Sequence, residues 1–250
     1  MDIPTKKIII TGGCSGIGKS LVNYFKDIGY EIAILDKDLS SFNKLSKDFG
    51  SQIKFIQTDV SQDESVALAL NILSEDSFFP DVLINNAGII HNEPLINLLK
   101  KDSRIHSRDS WEKVIATDLS SVFYVTSRVV DSMIQKRKKG VVISISSICA
   151  NGNKGQTAYS AAKAGVNALT QTWSKELGPL GIRFVSISPG FLDTPSTRKS
   201  LNEKMIDNIK KLIPLQKLGD PVTIAKTADF IIKNEYINGE VIKVDGGLVI

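Results

Sequence analysis

Cysteine is scarce in this chain: only Cys14 and Cys149 occur among 250 residues. Two such residues give neither a disulfide framework nor metal-ligand spacing, so a reducing compartment fits, with each thiol as a small buried hydrophobe. Histidine is equally rare. His91 and His106 stand fifteen positions apart with no cysteine or paired carboxylate counted beside them, so no metal site is expected. No apolar run approaches bilayer length, and the opening MDIPTKK lacks the apolar core of a signal peptide. Charge of one sign is also lacking, with a formal net charge of only +4. Its densest source, Lys136 to Lys139, has no aromatic residues interleaved and is a poor nucleic-acid footprint. These absences leave a soluble cytoplasmic protein with neither nucleic-acid nor membrane partners. A hydrophobic content of 42% can fill one large α/β core, and no linker, repeat or low-complexity segment divides residues 1–250.

What the chain does have is an alternation of apolar runs with helical patterns. Runs at Lys7–Ile10, Tyr30–Leu35, Ile53–Gln57, Asp81–Ile84, Val141–Ile145, Ile182–Ser188 and Glu240–Val244 read as strands, most of them followed by segments with helical periodicity. That order predicts a doubly wound parallel sheet with helices on both faces. The first strand feeds Thr11-Gly-Gly-Cys-Ser-Gly-Ile-Gly18 and then a helix through Leu21, Val22, Phe25 and Ile28. Strand, glycine turn and helix are the context of a dinucleotide loop, so Gly12, Ser15, Gly16, Ile17 and Gly18 are assigned to a pyrophosphate. Asp36, at the tip of the second strand, is placed to accept the adenosine ribose hydroxyls and to repel a 2′-phosphate. No cation stands in the glycine loop before Gly16, and Lys37 is the one opposing feature, so NAD is the expected cofactor. Asp59 either caps the following helix or meets an adenine amino group. Asn85-Asn86-Ala87-Gly88, at the end of the fourth strand, suits close cofactor approach or a satisfied turn.

The segment Gly140 to Gly165 carries the chemistry. A buried strand ends in Ser146 and Ser147, a small-residue loop follows, and a helix begins near Tyr159. Tyr159 and Lys163 are four apart and share one helix face. A free phenol has a pKa of about 10. An ammonium beside it lowers that value, giving an acid/base usable near neutral pH.

Taken together, Thr11-Gly-x-x-x-Gly-x-Gly18, Asp59-Val60, Asn85-Asn-Ala-Gly88, Ser147, Tyr159-x-x-x-Lys163 and Pro189-Gly190 resemble, in order and over nearly the whole chain, the short-chain dehydrogenases/reductases. The likeness is to the compact branch holding β-ketoacyl-acyl-carrier-protein reductases and sugar or polyol dehydrogenases. It implies a Rossmann-like sheet of about seven strands and a homotetramer. It also implies Tyr159 as catalytic acid/base, Lys163 as a ribose ligand that lowers the tyrosine's pKa, and a serine that polarises the substrate carbonyl. Counting along the strand selects Ser147; counting back from Tyr159 selects Ser146; Ser147 is preferred because a loop loses a residue more easily than a buried strand shifts register. By the same resemblance Val60, Pro189, Gly190 and Thr194 contact the cofactor.

Asp118 departs from the pattern, which carries asparagine in a proton relay to Lys163. If a backbone carbonyl holds the relay water, the substitution is harmless, and this reading is preferred. Otherwise the carboxylate pairs with Lys163 and weakens its hold on Tyr159. The segment between Gly88 and Trp111 is long for this branch; it is either an entrance or subunit-contact loop for an anionic group or a solvated insertion. A lysine-rich periodic stretch within 191–215 reads as a substrate lid or an ordinary amphipathic helix. The expected activity is NAD(H)-dependent interconversion of a secondary alcohol and a ketone. The alternatives are a 3-oxoacyl-acyl-carrier-protein reductase, whose usual NADPH Asp36 opposes, and an inactive dinucleotide sensor or scaffold.

Overall fold

Seven apolar runs become seven parallel strands in the computed structural model, which describes residues 5–46, 53–101 and 103–249. They are β1 (Lys7–Thr11), β2 (Glu31–Asp36), β3 (Ile53–Gln57), β4 (Val82–Asn85), β5 (Gly140–Ile145), β6 (Ile182–Pro189) and β7 (Val241–Val244). They lie in the order β3-β2-β1-β4-β5-β6-β7, every neighbouring pair parallel. Part of the opening MDIPTKK lies outside the described residues.

Parallel neighbours need crossover connections, and the crossover helices cover both faces of the sheet. This is why the central strands read as unbroken apolar runs: Ile8, Ile9 and Ile10 are all buried, as are Ile32 to Leu35. Their side chains alternate between two cores. Ile8, Ile10, Ile32 and Ile34 pack with Leu21, Phe25 and Ala228, from α1 (Gly16–Asp27) and α9 (Val222–Lys233). Ile9, Ala33 and Leu35 pack on the other face with Val66, Leu73, Val125 and Val129, from α3 (Asp63–Glu75) and α5 (Ser121–Gln135). A third, smaller cluster joins Val114, Cys149, Ala158, Tyr159 and Ala162.

From β1 the chain winds to β2 and β3, then returns across the sheet to β4. The carboxyl ends of β1 and β4 therefore flank the topological switch point, where open α/β sheets bind ligands. Strand ends agree with the sequence reading to within one or two residues, the usual spread.

Three local features differ from that reading. Residues Leu39–Leu45 form a short helix, α2, capped by Asp38, which accepts from Ser41 N at 2.9 Å. Asp59 caps no helix: α3 begins at Asp63, and the Asp59 carboxylate instead accepts from Ser61 N and Oγ at 3.0 and 2.6 Å. The periodic stretch after residue 195 divides into α7 (Pro195–Ser200) and α8 (Glu203–Leu212), because Thr194 and Asn202 each cap a new helix. Between α4 (Arg108–Ile115) and α5 the chain widens into a π-helical turn, Ala116–Ser120. Among the described residues no helix is long and apolar enough to cross a membrane.

Candidate active site

The glycine turn leaves β1 at the switch point. Gly12 and Gly16 have φ of +66° and +51°, values a side chain disfavours. Gly18 is required by close approach, since a Cβ there would lie 1.9 Å from the Gly12 carbonyl oxygen. The neighbouring strand locks the turn in place. Asn86 Nδ2 donates to the carbonyls of Thr11 and Gly12 at 3.0 and 2.9 Å, while Thr11 Oγ1 accepts from Asn86 N and Ala87 N at 3.0 Å each. Asn86 thus serves the loop itself. α1 starts at Gly16, so its first backbone N–H groups, unpaired within the helix, open onto this turn. A Cβ at Gly16 would meet nothing within 4 Å, leaving that side of the cradle open to a phosphate.

Asp36 closes the far side of the cradle. Its Oδ2 accepts from Cys14 N at 2.9 Å and its Oδ1 from Asp38 N at 3.0 Å, which fixes the carboxylate while leaving lone pairs for hydroxyl donors. Burial, with Asp36 beside it, pushes the Cys14 thiol up to about 12, so the thiol stays protonated and unreactive. A glycine cradle, a helix start and a carboxylate at the second strand's tip together fit a dinucleotide.

The second half of the site stands on β5 and α6 (Thr157–Leu177). Tyr159 and Lys163 are 9% and 4% exposed, so both lie inside the protein. The Ser147 hydroxyl accepts from Cys149 N at 3.2 Å and reaches the Tyr159 phenol. Ser146 turns the other way, its Oγ donating to the Lys163 carbonyl at 3.4 Å. Of the two serines, Ser147 is the one brought to the tyrosine. Lys163 Nζ donates to the Ile145 carbonyl at 3.0 Å and lies 5.7 Å from the centre of the Tyr159 ring. The two halves meet at Gly88, where a Cβ would come within 3.4 Å of Lys163 Nζ.

A model matching this chain over residues 12–249 describes the family "Enoyl-(Acyl carrier protein) reductase". The 3-oxoacyl-[acyl-carrier-protein] reductase of Chlamydia trachomatis is 38% identical, covering 97% of each chain. The human (3R)-3-hydroxyacyl-CoA dehydrogenase is 35% identical over 96% of this chain and 94% of its own. This chain is a short-chain dehydrogenase/reductase. Among solved structures, the 3-hydroxyacyl-CoA dehydrogenase type-2 of Mycobacterium avium superposes with a TM-score of 0.88 at 28% identity, covering 98% of this chain and 96% of that one. The Brucella melitensis 3-ketoacyl-(acyl-carrier-protein) reductase complexed with NADH gives 0.85 at 25%, covering 98% of both. The fold is thus a nicotinamide-dinucleotide-binding one, and the chain is an oxidoreductase acting between CH–OH and keto groups.

Electrostatics in this short-chain dehydrogenase/reductase differ from the simple lysine-and-tyrosine pair. Burial raises the Tyr159 phenol's pKa; Lys163 and Ser147 pull it down, and Asp118 pushes it up again, with a net rise. The lowered phenol pKa inferred from sequence is therefore not what this cluster has, because desolvation outweighs the ammonium. Asp118 itself is fully buried in the π-helical turn, its Oδ1 accepting from Ile89 N at 2.9 Å and its Oδ2 3.3 Å from Lys163 Nζ. Asp118 and Lys163 are thus in ion-pair contact, the arrangement that the second reading of this position requires. Burial raises the carboxyl's pKa against the pull of Lys163; burial is also the largest single influence on the ammonium and opposes it, but Asp118 and Tyr159 together outweigh it and Lys163's pKa rises. Asp118 Oδ2 is buried without an aligned hydrogen-bond donor, so the pair retains an acceptor facing the cradle through Gly88.

Other assigned residues sit at the rim of the site. Pro189 ends β6, and a Cβ at Gly190 would strike Asp245 Cα at 2.7 Å, so the chain needs glycine to pass there. Thr194 spends its hydroxyl oxygen capping α7. Asp59 and Val60 follow β3 at the same sheet edge as Asp36, with Asp59 bound into the Ser61 turn.

Three contributions were not read from sequence. Asn85 Nδ2 bridges Thr126 Oγ1 and Ser144 Oγ at 2.9 and 3.3 Å, bracing β4 against α5 and β5. The Ile145 carbonyl holds Lys163, and no backbone acceptor can be read from residue type. Glu93 is the third: the insertion doubles back through an Ile96–Ile105 bridge, which brings His91 and His106 to either side of its carboxylate. Hydrogen bonds from His91 and then Lys100 hold that carboxyl down at about 2.

Proposed function

We propose that the chain is an NAD(H)-dependent oxidoreductase that interconverts 3-oxoacyl and 3-hydroxyacyl thioesters, with Tyr159 as acid/base. The observation carrying this reading is the buried cluster of Ser147, Tyr159 and Lys163 beside the glycine cradle. The substrate class rests on the relatives, whose names join a carrier-protein reductase and a coenzyme A dehydrogenase around one 3-oxoacyl/3-hydroxyacyl exchange. It narrows the secondary-alcohol reading in favour of the acyl alternative. An inactive sensor is disfavoured by the intact, buried tyrosine and lysine.

In this proposal Gly12, Ser15, Gly16, Ile17 and Gly18 hold the pyrophosphate, Asp36 the adenosine ribose, and Asp59 with Val60 the adenine. Asn86, Ala87, Gly88, Pro189, Gly190, Thr194 and Lys163 line the nicotinamide side. The bound nicotinamide supplies or accepts the hydride. Tyr159 gives its proton to the substrate oxygen in reduction and withdraws it in oxidation. The Ser147 oxygen accepts from Cys149 N, and its hydroxyl hydrogen, directed at the phenol, turns to the substrate oxygen. Lys163 steadies the phenolate, and Asp118 tempers it. Closure of the 191–215 segment over the substrate excludes water.

NAD preference rests on Asp36. A 2′-phosphate about 4 Å from that carboxylate meets up to roughly 4 kcal/mol of repulsion, less when screened. A homotetramer is supported by apolar surface: Phe123 and Ile134 on α5 are 53% and 42% exposed. Light scattering on the purified protein measures that state. Substrate and cofactor are tested by kcat/KM for 3-oxoacyl thioesters, sugars, polyols and simple ketones with NADH and NADPH. Preference for a sugar or polyol refutes the substrate class, and equal use of both nucleotides refutes the cofactor preference.

A further inference from the structure

The insertion after Gly88 folds three distant side chains into one cluster. His91 Nε2 lies 3.1 Å from Glu93 Oε2, and His106 Nδ1 lies 3.8 Å from the same oxygen. One ligand atom from each of the three residues falls within 4.8 Å of the other two. The two imidazole rings stand nearly perpendicular, their centres 6.0 Å apart. The side chains of Glu93 and His106 are 10% and 7% exposed, and that of His91 is 33% exposed, leaving one open flank. The other nitrogen of the His106 ring, Nε2, is buried with no hydrogen-bond partner among the described residues. Lys100, whose side chain is 52% exposed, approaches only the other carboxylate oxygen, Oε1, at 3.4 Å.

We propose that His91, Glu93 and His106 bind one divalent transition-metal ion of zinc-like character, with a fourth position open at the His91 flank. Two imidazoles and a carboxylate are the donors such ions take, and the hard ions magnesium and calcium prefer oxygen alone. Bonds of about 2.0–2.1 Å in tetrahedral geometry set ligand atoms about 3.3 Å apart. The 3.1 and 3.8 Å separations of His91 Nε2 and His106 Nδ1 from Glu93 Oε2 bracket that value, and metal binding at Nδ1 replaces its 3.2 Å contact with the Glu93 carbonyl. Lys100 reaches Glu93 from the solvent side, and its long side chain swings clear without backbone movement. The three ligands come from both arms of the insertion, so the ion cross-links residues 91–93 to residue 106.

That cross-link bears on the catalytic helix. Glu93 pairs with Gln156, the Glu93 carbonyl accepts from Thr157 N at 3.4 Å, and Asn92 Oδ1 accepts from Gln156 Nε2 at 2.7 Å. These contacts tie the cluster to the start of α6, two residues before Tyr159. The ion's role is to fix this loop against the helix, separate from the redox chemistry and independent of the substrate reading.

The test is equilibrium dialysis of chelator-stripped protein against zinc chloride, with thermal unfolding beside it. Wild type retains one ion per chain, and its Tm rises by about 5–10 °C when free zinc exceeds the dissociation constant about a hundredfold. His91→Ala, a half-open position whose loss leaves the fold intact, and Glu93→Gln, which keeps the side chain's shape, both lose the ion and the Tm rise. No retained ion in wild type, or undiminished binding in either variant, overturns the proposal.

Discussion

Replacing Asp118 by asparagine removes one buried negative charge and almost no volume. In the native cluster Asp118 Oδ2 lies 3.3 Å from Lys163 Nζ, and Oδ1 accepts from Ile89 N. An amide has one acceptor oxygen, so it serves one of these two neighbours and presents a donor to the other. At 3.3 Å and an effective dielectric of 20, the lost attraction is about 5 kcal/mol before desolvation is counted. Losing one partner of a buried pair costs about 3–5 kcal/mol, because the surviving ion keeps its desolvation penalty. At the lower end of that range, a chain of this size loses about 6–12 °C of Tm. Activity moves the other way. Asp118 raises the Tyr159 pKa, so its removal lets Lys163 act unopposed and the phenol ionises at lower pH. In the oxidation direction, where Tyr159 must be a base, kcat near neutral pH rises about tenfold, equivalent to about 1.4 kcal/mol of barrier. The ascending, acid-side limb of the rate profile, set by ionisation of the phenol, shifts to lower pH. Initial rates of 3-hydroxyacyl thioester oxidation across a pH series, with calorimetry on the same preparations, measure both effects. An unshifted profile with kcat within about twofold of wild type refutes the reasoning.

Other perturbations follow from the same geometry. Gly18→Ala puts a methyl group 1.9 Å from the Gly12 carbonyl, so the turn must open and NADH binding, measured by fluorescence titration, is lost. Asp36→Ser removes the charge opposing a 2′-phosphate and raises the NADPH/NADH ratio of kcat/KM by about tenfold or more; an unchanged ratio assigns the preference elsewhere. Cys14, its thiol held up to about 12, resists alkylation in the native protein at neutral pH, and mass mapping after iodoacetamide treatment reports it directly.

Much of this architecture is legible in residue order. Each strand is a short apolar run, because helices cover both faces and no polar alternation is needed. The glycine turn is legible because Gly18 answers a steric demand that no other residue meets. The electrostatics are not. The i, i+4 spacing places Tyr159 beside Lys163, but it carries no information about depth, and burial reverses the expected direction of the phenol's shift. Asp118 lies 45 residues before Lys163 and meets it only through the π-helical turn. The same blindness to long-range placement hid Glu93, whose two histidines are brought together by the Ile96–Ile105 bridge and not by any local spacing. The divided helices after Thr194 were obscured for another reason: the periodic apolar residues Met205, Ile206, Ile209 and Leu212 all lie beyond the break, and only the Asn202 cap marks it.

The central claim is that one buried phenol moves the substrate's proton, and Tyr159→Phe measures it most directly. Loss of the hydroxyl should lower kcat for 3-oxoacyl thioester reduction by about 10²–10⁴-fold, with the NADH dissociation constant nearly unchanged. A phenylalanine variant that turns over at the wild-type rate contradicts the account.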